Sequence, residues 1–256
     1  MISKLLRGRR PSPREPQAAI PGDQRIYAIG DIHGRLDLLE QLVERIAADD
    51  AARGASDTTF IFLGDLVDRG PQSAQVVEYL MQLEQRRAPG STRFLLGNHE
   101  EVFLAALEDE KALRFFIRIG GKETILSYGI AAERYNVLDY AELRAELQAQ
   151  VPAEHVAFVS RFEDLILVGD YAFVHAGIRP SEPLDRQRAK DLRWIREEFI
   201  EHSGPLEKMI VHGHTITADV EVTPNRIGLD TGAYASGKLT AMGFEGDQRW
   251  VIDTAA

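Results

Sequence analysis

The chain has 256 residues, 44% of them hydrophobic, a formal net charge of −10 at pH 7 and no cysteine. That length and apolar content suffice for one core-bearing domain or at most two, and no apolar run approaches the ~20 residues of a membrane-spanning helix. The acidic balance argues against general nucleic-acid binding, whose affinity comes from lysine and arginine on phosphates, and without thiols any metal must be held by nitrogen and oxygen; a cytoplasmic location is the expectation.

Residues 1–22, "MISKLLRGRRPSPREPQAAIPG", are basic and proline-rich, with neither apolar periodicity nor the apolar stretch of a signal peptide. They read as a disordered tail in which Arg7, Arg9 and Arg10 are solvated, and 23–256 reads as one folded domain. The runs "RIYAIG", "TTFIFLG" and "TRFLLG" have the length, aromatic or β-branched content and closing glycine of buried strands. Between them Leu36, Leu39, Leu42, Val43 and Ile46, then Val76, Val77, Leu80 and Leu83, recur at helical spacing. Strand, helix, strand, helix, strand predicts parallel strands joined by right-handed crossovers. The segment of about 100–162 is mostly helical in pattern and predicts an insertion over one end of the fold. Further strands follow in "LILVG", "YAFVHAG", "KMIVHGH", "RIGLD", "KLTAMGFE" and "QRWVID", with a helix near Asp185 to Ile200. The whole predicts an α/β fold of two packed sheets flanked by helices.

The polar residues concentrate where these strands end. Gly30 is followed by Asp31 and His33, Gly64 by Asp65 and Asp68, and Gly97 by Asn98 and His99; later come His175 in "FVHAG" and His212 and His214 in "VHGHT". In open α/β sheets the C-terminal strand ends are where ligands bind. Taken singly, "DIHG" or "GNHE" reads as a capped turn, and His175 as a hydrogen-bonded core histidine. Turn chemistry does not call for imidazoles at the ends of so many strands, whereas carboxylates with imidazoles suit divalent Mn, Fe or Zn.

In this order, "GDIHGR", "GDLVDRG", "GNHE", the histidine of "VHAG" and "HGHT" resemble the calcineurin-like metallophosphoesterases, and among them the PPP-type serine/threonine phosphatases in their compact bacterial and phage form. The resemblance spans about residues 25–256. It implies a four-layer α/β/β/α sandwich forming one catalytic domain, with a dinuclear metal centre at the strand ends. By position, Asp31 and His33 would hold the first ion, Asp65 would bridge, and Asn98, His175 and His214 would hold the second. Mn²⁺ is the expected metal, with Fe and Zn also compatible. "GHT" is followed by Ile216, so the further histidine of a GHxH motif is absent, and the first ion is expected to have fewer protein ligands.

Two divalent ions can lower the pKa of a shared water and clamp phosphoryl oxygens for in-line attack, which requires a bridging carboxylate such as Asp65. A departing alkoxide needs a proton, and His99, opposite Asn98 on an extended stretch, is the natural general acid. Asp68 is nominated to hold its imidazolium; the resemblance assigns His99 and Asp68 the same roles. Arg69 would clamp phosphate through its planar guanidinium. For a second clamp "DLRWIREEF" offers Arg193 and Arg196, of which Arg196 is preferred. His212 is expected to support the ligands or face substrate, and Asp230 and Thr231 to be structural.

The expected reaction is hydrolysis of phosphoserine or phosphothreonine by a hydroxide bridging the metals, with a phosphorylated protein or small phosphoester as partner. The alternative is a hydrolase of diadenosine tetraphosphate or another nucleotide, from a related branch that shares "GDLV" and "DTG". That branch usually lacks the aspartate found here as Asp68, which favours the phosphatase. A binding module without catalysis would show an eroded ligand, and none is eroded.

Overall fold

Apolar runs rich in β-branched and aromatic residues form β1 (Gln24–Ile29), β2 (Asp57–Phe62), β3 (Thr92–Phe94), β4 (Ile166–Val168) and β5 (Tyr171–Phe173) in the computed structural model, which describes residues 17–255. β6 (Met209–His212), β7 (Glu221–Val222), β8 (Arg226–Gly228), β9 (Thr240–Glu245) and β10 (Gln248–Asp253) follow. The first sheet has the order β10-β9-β1-β2-β3 and the second β4-β5-β6-β8-β7. β1, β2 and β3 are parallel, with Ile26 opposite Thr59 and Phe60 opposite Thr92. β5, β6 and β8 are likewise parallel, so each sheet has three parallel strands whose C-terminal ends lie side by side.

Helices cover the outer faces because their apolar residues recur on one side. In α1 (Leu36–Arg53) the buried residues are Leu38, Leu39, Leu42 and Ile46, and in α2 (Ser73–Arg86) they include Val76, Val77 and Leu80. The segment after β3 forms α3 (Asn98–Glu108), α4 (Glu110–Phe116), a π-helical turn at Ile117–Gly121, α5 (Lys122–Ser127), α6 (Ala132–Tyr135), α7 (Tyr140–Gln150) and α8 (Ala153–Ser160). Asp139 starts α7 with a reciprocal cap: its carboxylate accepts the Glu142 N–H at 2.9 Å, and the Glu142 carboxylate accepts the Asp139 N–H at 3.0 Å.

Three apolar clusters set the layers. Ala28, Ile61, Phe173, Val211, Ile227 and Phe244 fill the space between the sheets. Tyr27, Phe60 and Phe62 on the other face of the first sheet pack against Leu39, Val77, Phe103 and Phe158 of the helices. Ala172, Val174 and Ile210 on the far face of the second sheet pack against Leu192 and Phe199. The order helix, sheet, sheet, helix is the expected sandwich.

Some boundaries differ from the expectation. The run "TRFLLG" is a regular strand only to Phe94; Leu95 N–H still donates to Phe62 O at 2.9 Å, but on the other side Leu95 bridges Glu163 and Leu96 N–H donates to Glu163 O at 2.8 Å as the chain returns from α8. The helix expected near Asp185 to Ile200 is two short ones, α9 (Ala189–Trp194) and α10 (Glu197–Ile200), separated by an extended Ile195. In the stretch read as a tail, Ala18–Ile20 are seated: Ile20 N–H donates to Gly246 O at 3.0 Å and the Tyr171 hydroxyl to Ala18 O at 2.9 Å. Arg7, Arg9 and Arg10 lie outside the described residues.

Candidate metal centre

The turns that follow β1, β2 and β6 carry an unusual backbone. Among the described residues, those other than glycine with positive φ are His33 (47°), Asp65 (50°), Asp68 (74°), Arg69 (66°) and His214 (63°). All five are residues that the sequence motifs single out. A left-handed conformation costs such a residue roughly 1–2 kcal/mol, so the surroundings must hold it. Asp65 O accepts the N–H groups of Ile32 (3.0 Å) and His33 (2.9 Å), tying the first turn to the second. Glu100, fully buried in α3, ties the second to the third. Its Oε2 accepts the N–H of Asp65 (2.8 Å) and Gly97 (3.1 Å), and its Oε1 those of Leu66 (2.7 Å) and Val67 (3.2 Å). Burial and then the Asp65 charge push Glu100 up to about 8, with its backbone donors pulling the other way. Motif reading passed over this residue although it closes "GNHE"; the signal was a glutamate between residues that must be internal.

The donor atoms then converge. His33, Asp65 and His99 offer ligand atoms within 4.8 Å of one another, and so do Asp65, His175 and His214. The Nδ1–H of His33 donates to Val67 O and that of His175 to Leu63 O, each at 2.8 Å, leaving both Nε2 lone pairs toward Asp65, at 3.6 and 3.3 Å. Asn98 Oδ1 lies 3.1 Å from His175 Nε2, and His214 Nδ1 lies 3.2 Å from it. Three acceptors facing one another are a donor set for a cation. Burial keeps these imidazoles neutral, as ligation requires: His33 is lowered from 6.5 to about 3, and His175 and His214 are also lowered. His214 Nε2 is buried without a partner among the described residues.

Asp31, buried at the end of β1, takes the His214 N–H on Oδ2 at 3.0 Å. Its neighbour Gly213 comes so near that a Cβ there would lie 2.1 Å from Asp31 Oδ1. Burial, then the charges of Asp230 and Asp65, hold the Asp31 carboxyl well above the usual range. Asp230, expected to be structural, therefore faces the cluster; burial foremost raises it to about 6, and its Oδ2 is buried without a partner among the described residues. Carboxylates packed this closely fit divalent ions.

Beside the first group, His99 Nδ1 lies 2.6 Å from Asp68 Oδ2. Burial opposes a charge on His99, but the carboxylates of Asp65 and Asp68 outweigh it, and its pKa is raised. The Arg69 guanidinium donates from Nη1 to His33 Nε2 (2.9 Å), its Nη2 lies 3.0 Å from His99 Nε2, and it sits over the Tyr234 ring at 4.8 Å. Arg196 is exposed, and its charge is near enough to help lower His175 and His214. Arg193 is tied into ion pairs with Asp164 (2.6 Å) and Glu101 (3.0 Å). His212 packs edge-on against Phe199, with ring centroids 5.1 Å apart, and its Nδ1–H donates to the carbonyl of Gly213, next to His214, at 3.0 Å.

Residues 24–238 match the sequence pattern of the family described as Calcineurin-like phosphoesterase. The asymmetrical bis(5'-nucleosyl)-tetraphosphatase PrpE of Anoxybacillus flavithermus is 25% identical over 237 residues, covering 84% of this chain and 89% of that protein. The symmetrical bis(5'-nucleosyl)-tetraphosphatase of Dechloromonas aromatica is 27% identical, covering 89% of this chain and 95% of its own. A solved structure provisionally described as a diadenosine tetraphosphatase superposes with a TM-score of 0.61 at 23% identity, covering 92% of this chain and 98% of that one. A serine/threonine phosphatase from Saccharomyces cerevisiae shares the fold with a TM-score of 0.52 at 16% identity.

Proposed function

This chain belongs to the calcineurin-like phosphoesterase family, and from that membership we propose that it is a divalent-metal-dependent hydrolase of dinucleoside polyphosphates. The observation that carries the chemistry is the pair of His/Asp groups that share Asp65. In this reading Asp31 and His33 would hold one ion, Asn98, His175 and His214 would hold a second, and Asp65 would serve both. Two such ions, Mn²⁺ in the first instance, supply positive charge to phosphoryl oxygens and lower the pKa of a water nucleophile.

The chain's own residues bind and orient the substrate and move a proton. Arg69 turns its two Nη groups from the histidines to phosphate oxygens, a match that planar guanidinium makes bidentately. Arg196, at the exposed rim, meets a further phosphate of a polyphosphate chain. His99, oriented by Asp68, donates its Nε2 proton to the departing oxygen.

The expectation of a phosphoserine and phosphothreonine phosphatase is corrected by the relatives, which carry the name bis(5'-nucleosyl)-tetraphosphatase. The physical reason lies in Asp68. It was read as a mark of protein phosphatases, but its contact is with His99, and a support for a proton donor does not identify the leaving group. The test is to offer metal-reconstituted protein diadenosine tetraphosphate, a phosphoserine peptide and a phosphodiester side by side. The expected result is a kcat/KM for the dinucleotide at least about tenfold above the others, equivalent to ~1.4 kcal/mol of transition-state discrimination. Product analysis separates cleavage to two ADP from cleavage to ATP and AMP. A preference for the phosphopeptide would sink the reading.

A further inference from the structure

We propose that the helical insertion is a working part of the active site, with Thr124 as the positioning residue of the Asp68–His99 pair and Gly120 as that of Arg69. The inference rests on the reading of His99 as proton donor. It starts from the backbone: Asp68 and Arg69 are consecutive, neither is glycine, and both are left-handed. Two adjacent residues in that region need bonds from outside their own turn, and the insertion provides them.

Thr124, in the first turn of the short α5, is buried against Asp68. Its hydroxyl accepts the Asp68 N–H at 2.9 Å and donates to Asp68 Oδ1 at 2.6 Å. The other oxygen, Oδ2, is left for His99. With both oxygens engaged the carboxylate plane cannot rotate, and the imidazole it carries is held in one orientation. Removing the hydroxyl would leave a buried carboxylate oxygen without its donor and free that plane.

Gly120 acts on the next residue. Its carbonyl accepts the Arg69 N–H at 3.0 Å. At φ +120° and with a would-be Cβ only 2.8 Å from Arg69 Cγ, no larger residue could bring the π-helical turn so near. α5 is itself anchored on the first turn of α2: Ser127 Oγ accepts the Ala74 N–H at 3.0 Å, and Thr124 Oγ1 is 2.9 Å from Ser73 Oγ. The insertion therefore holds both Asp68 and Arg69 and the start of the helix that follows them.

The test compares Thr124→Val, which removes the hydroxyl at nearly constant shape, with Thr124→Ser, which keeps it. Both are assayed on phenyl phosphate, whose leaving phenolate has a pKa of about 10, like tyrosine, and on p-nitrophenyl phosphate, whose leaving group is far less basic. Bound metal is measured by elemental analysis. Thr124→Val should lower kcat on phenyl phosphate by about 10- to 100-fold, less than the full worth of a general acid. The loss on p-nitrophenyl phosphate should be smaller and metal content unchanged, with most of the rate recovered in Thr124→Ser. If the valine variant does not fold, Thr124→Ala against Thr124→Ser poses the same question. Equal losses on the two substrates, or a serine variant as impaired as the one without a hydroxyl, overturns the inference. His99→Asn run in parallel separates the two levels: if it shows the leaving-group dependence and Thr124→Val does not, the inference alone falls. If His99→Asn shows none, the proton-donor reading falls and the inference with it.

Discussion

His99 shows how one side chain can satisfy two descriptions. By distance it belongs with His33 and Asp65 as a ligand, yet its Nδ1 is engaged with Asp68 at 2.6 Å and its pKa is raised, which suits a proton carrier better than a neutral ligand. His33 is the converse, with Nδ1–H spent on a backbone carbonyl and a lowered pKa. His99→Asn is therefore expected to keep its full metal complement while kcat on alkyl phosphoesters falls by on the order of 10² to 10⁴. Elemental analysis beside steady-state kinetics decides it; loss of one metal equivalent would make His99 a ligand.

At the level of elements, the site is built from the ends of β1, β2, β3, β5 and β6 and the turns that interlock them. Gly97 ends the run after β3 with an ordinary φ of −77°, so its lack of a side chain is a matter of space. A Cβ there would lie 2.3 Å from Asp65 Oδ1 and 2.4 Å from Asp65 N. Gly97→Ala should push the second turn away from the third and lower stability by about 1–3 kcal/mol, the usual cost of overpacking. It should also weaken metal binding through Asp65. Thermal melts and metal titration of the variant check both; a normal melt with normal metal affinity would show that the turns can yield.

For the molecule as a whole, burying several carboxylates at one end makes the fold depend on cations and on pH. The Asp230 carboxyl is raised from 3.8 to about 6, mainly by burial, and Asp31 is raised too. A carboxyl raised by folding favours the metal-free fold while it is protonated, and that contribution is lost as pH rises through the folded value. A bound cation relieves the same repulsion. The stabilisation on adding Mn²⁺, read as a rise in Tm, should accordingly widen between pH 5 and pH 7.5, at about 2.7 kcal/mol per ion for a hundredfold excess over Kd, and chelation should reverse it. A gain that is flat, or larger at pH 5, would contradict this balance.

The periodicities of "RIYAIG", Leu36 to Ile46 and "TTFIFLG" determined the helix and strand order, because a residue's burial on one face is written in its spacing. The glycines after each strand marked where Asp31, His33, Asp65, Asn98 and His99 would gather, since parallel strands align those ends without further information. Spacing could not reveal the left-handed backbone of Asp68 and Arg69 or the four N–H groups on Glu100. Nor could it show that Thr124, 56 residues away, holds Asp68. Those depend on which turns touch, and contacts between distant segments have no period along the chain. Substrate preference is of the same kind: motifs shared across a family position the reacting phosphorus, whereas the leaving group is met by residues that only the folded chain brings to the rim.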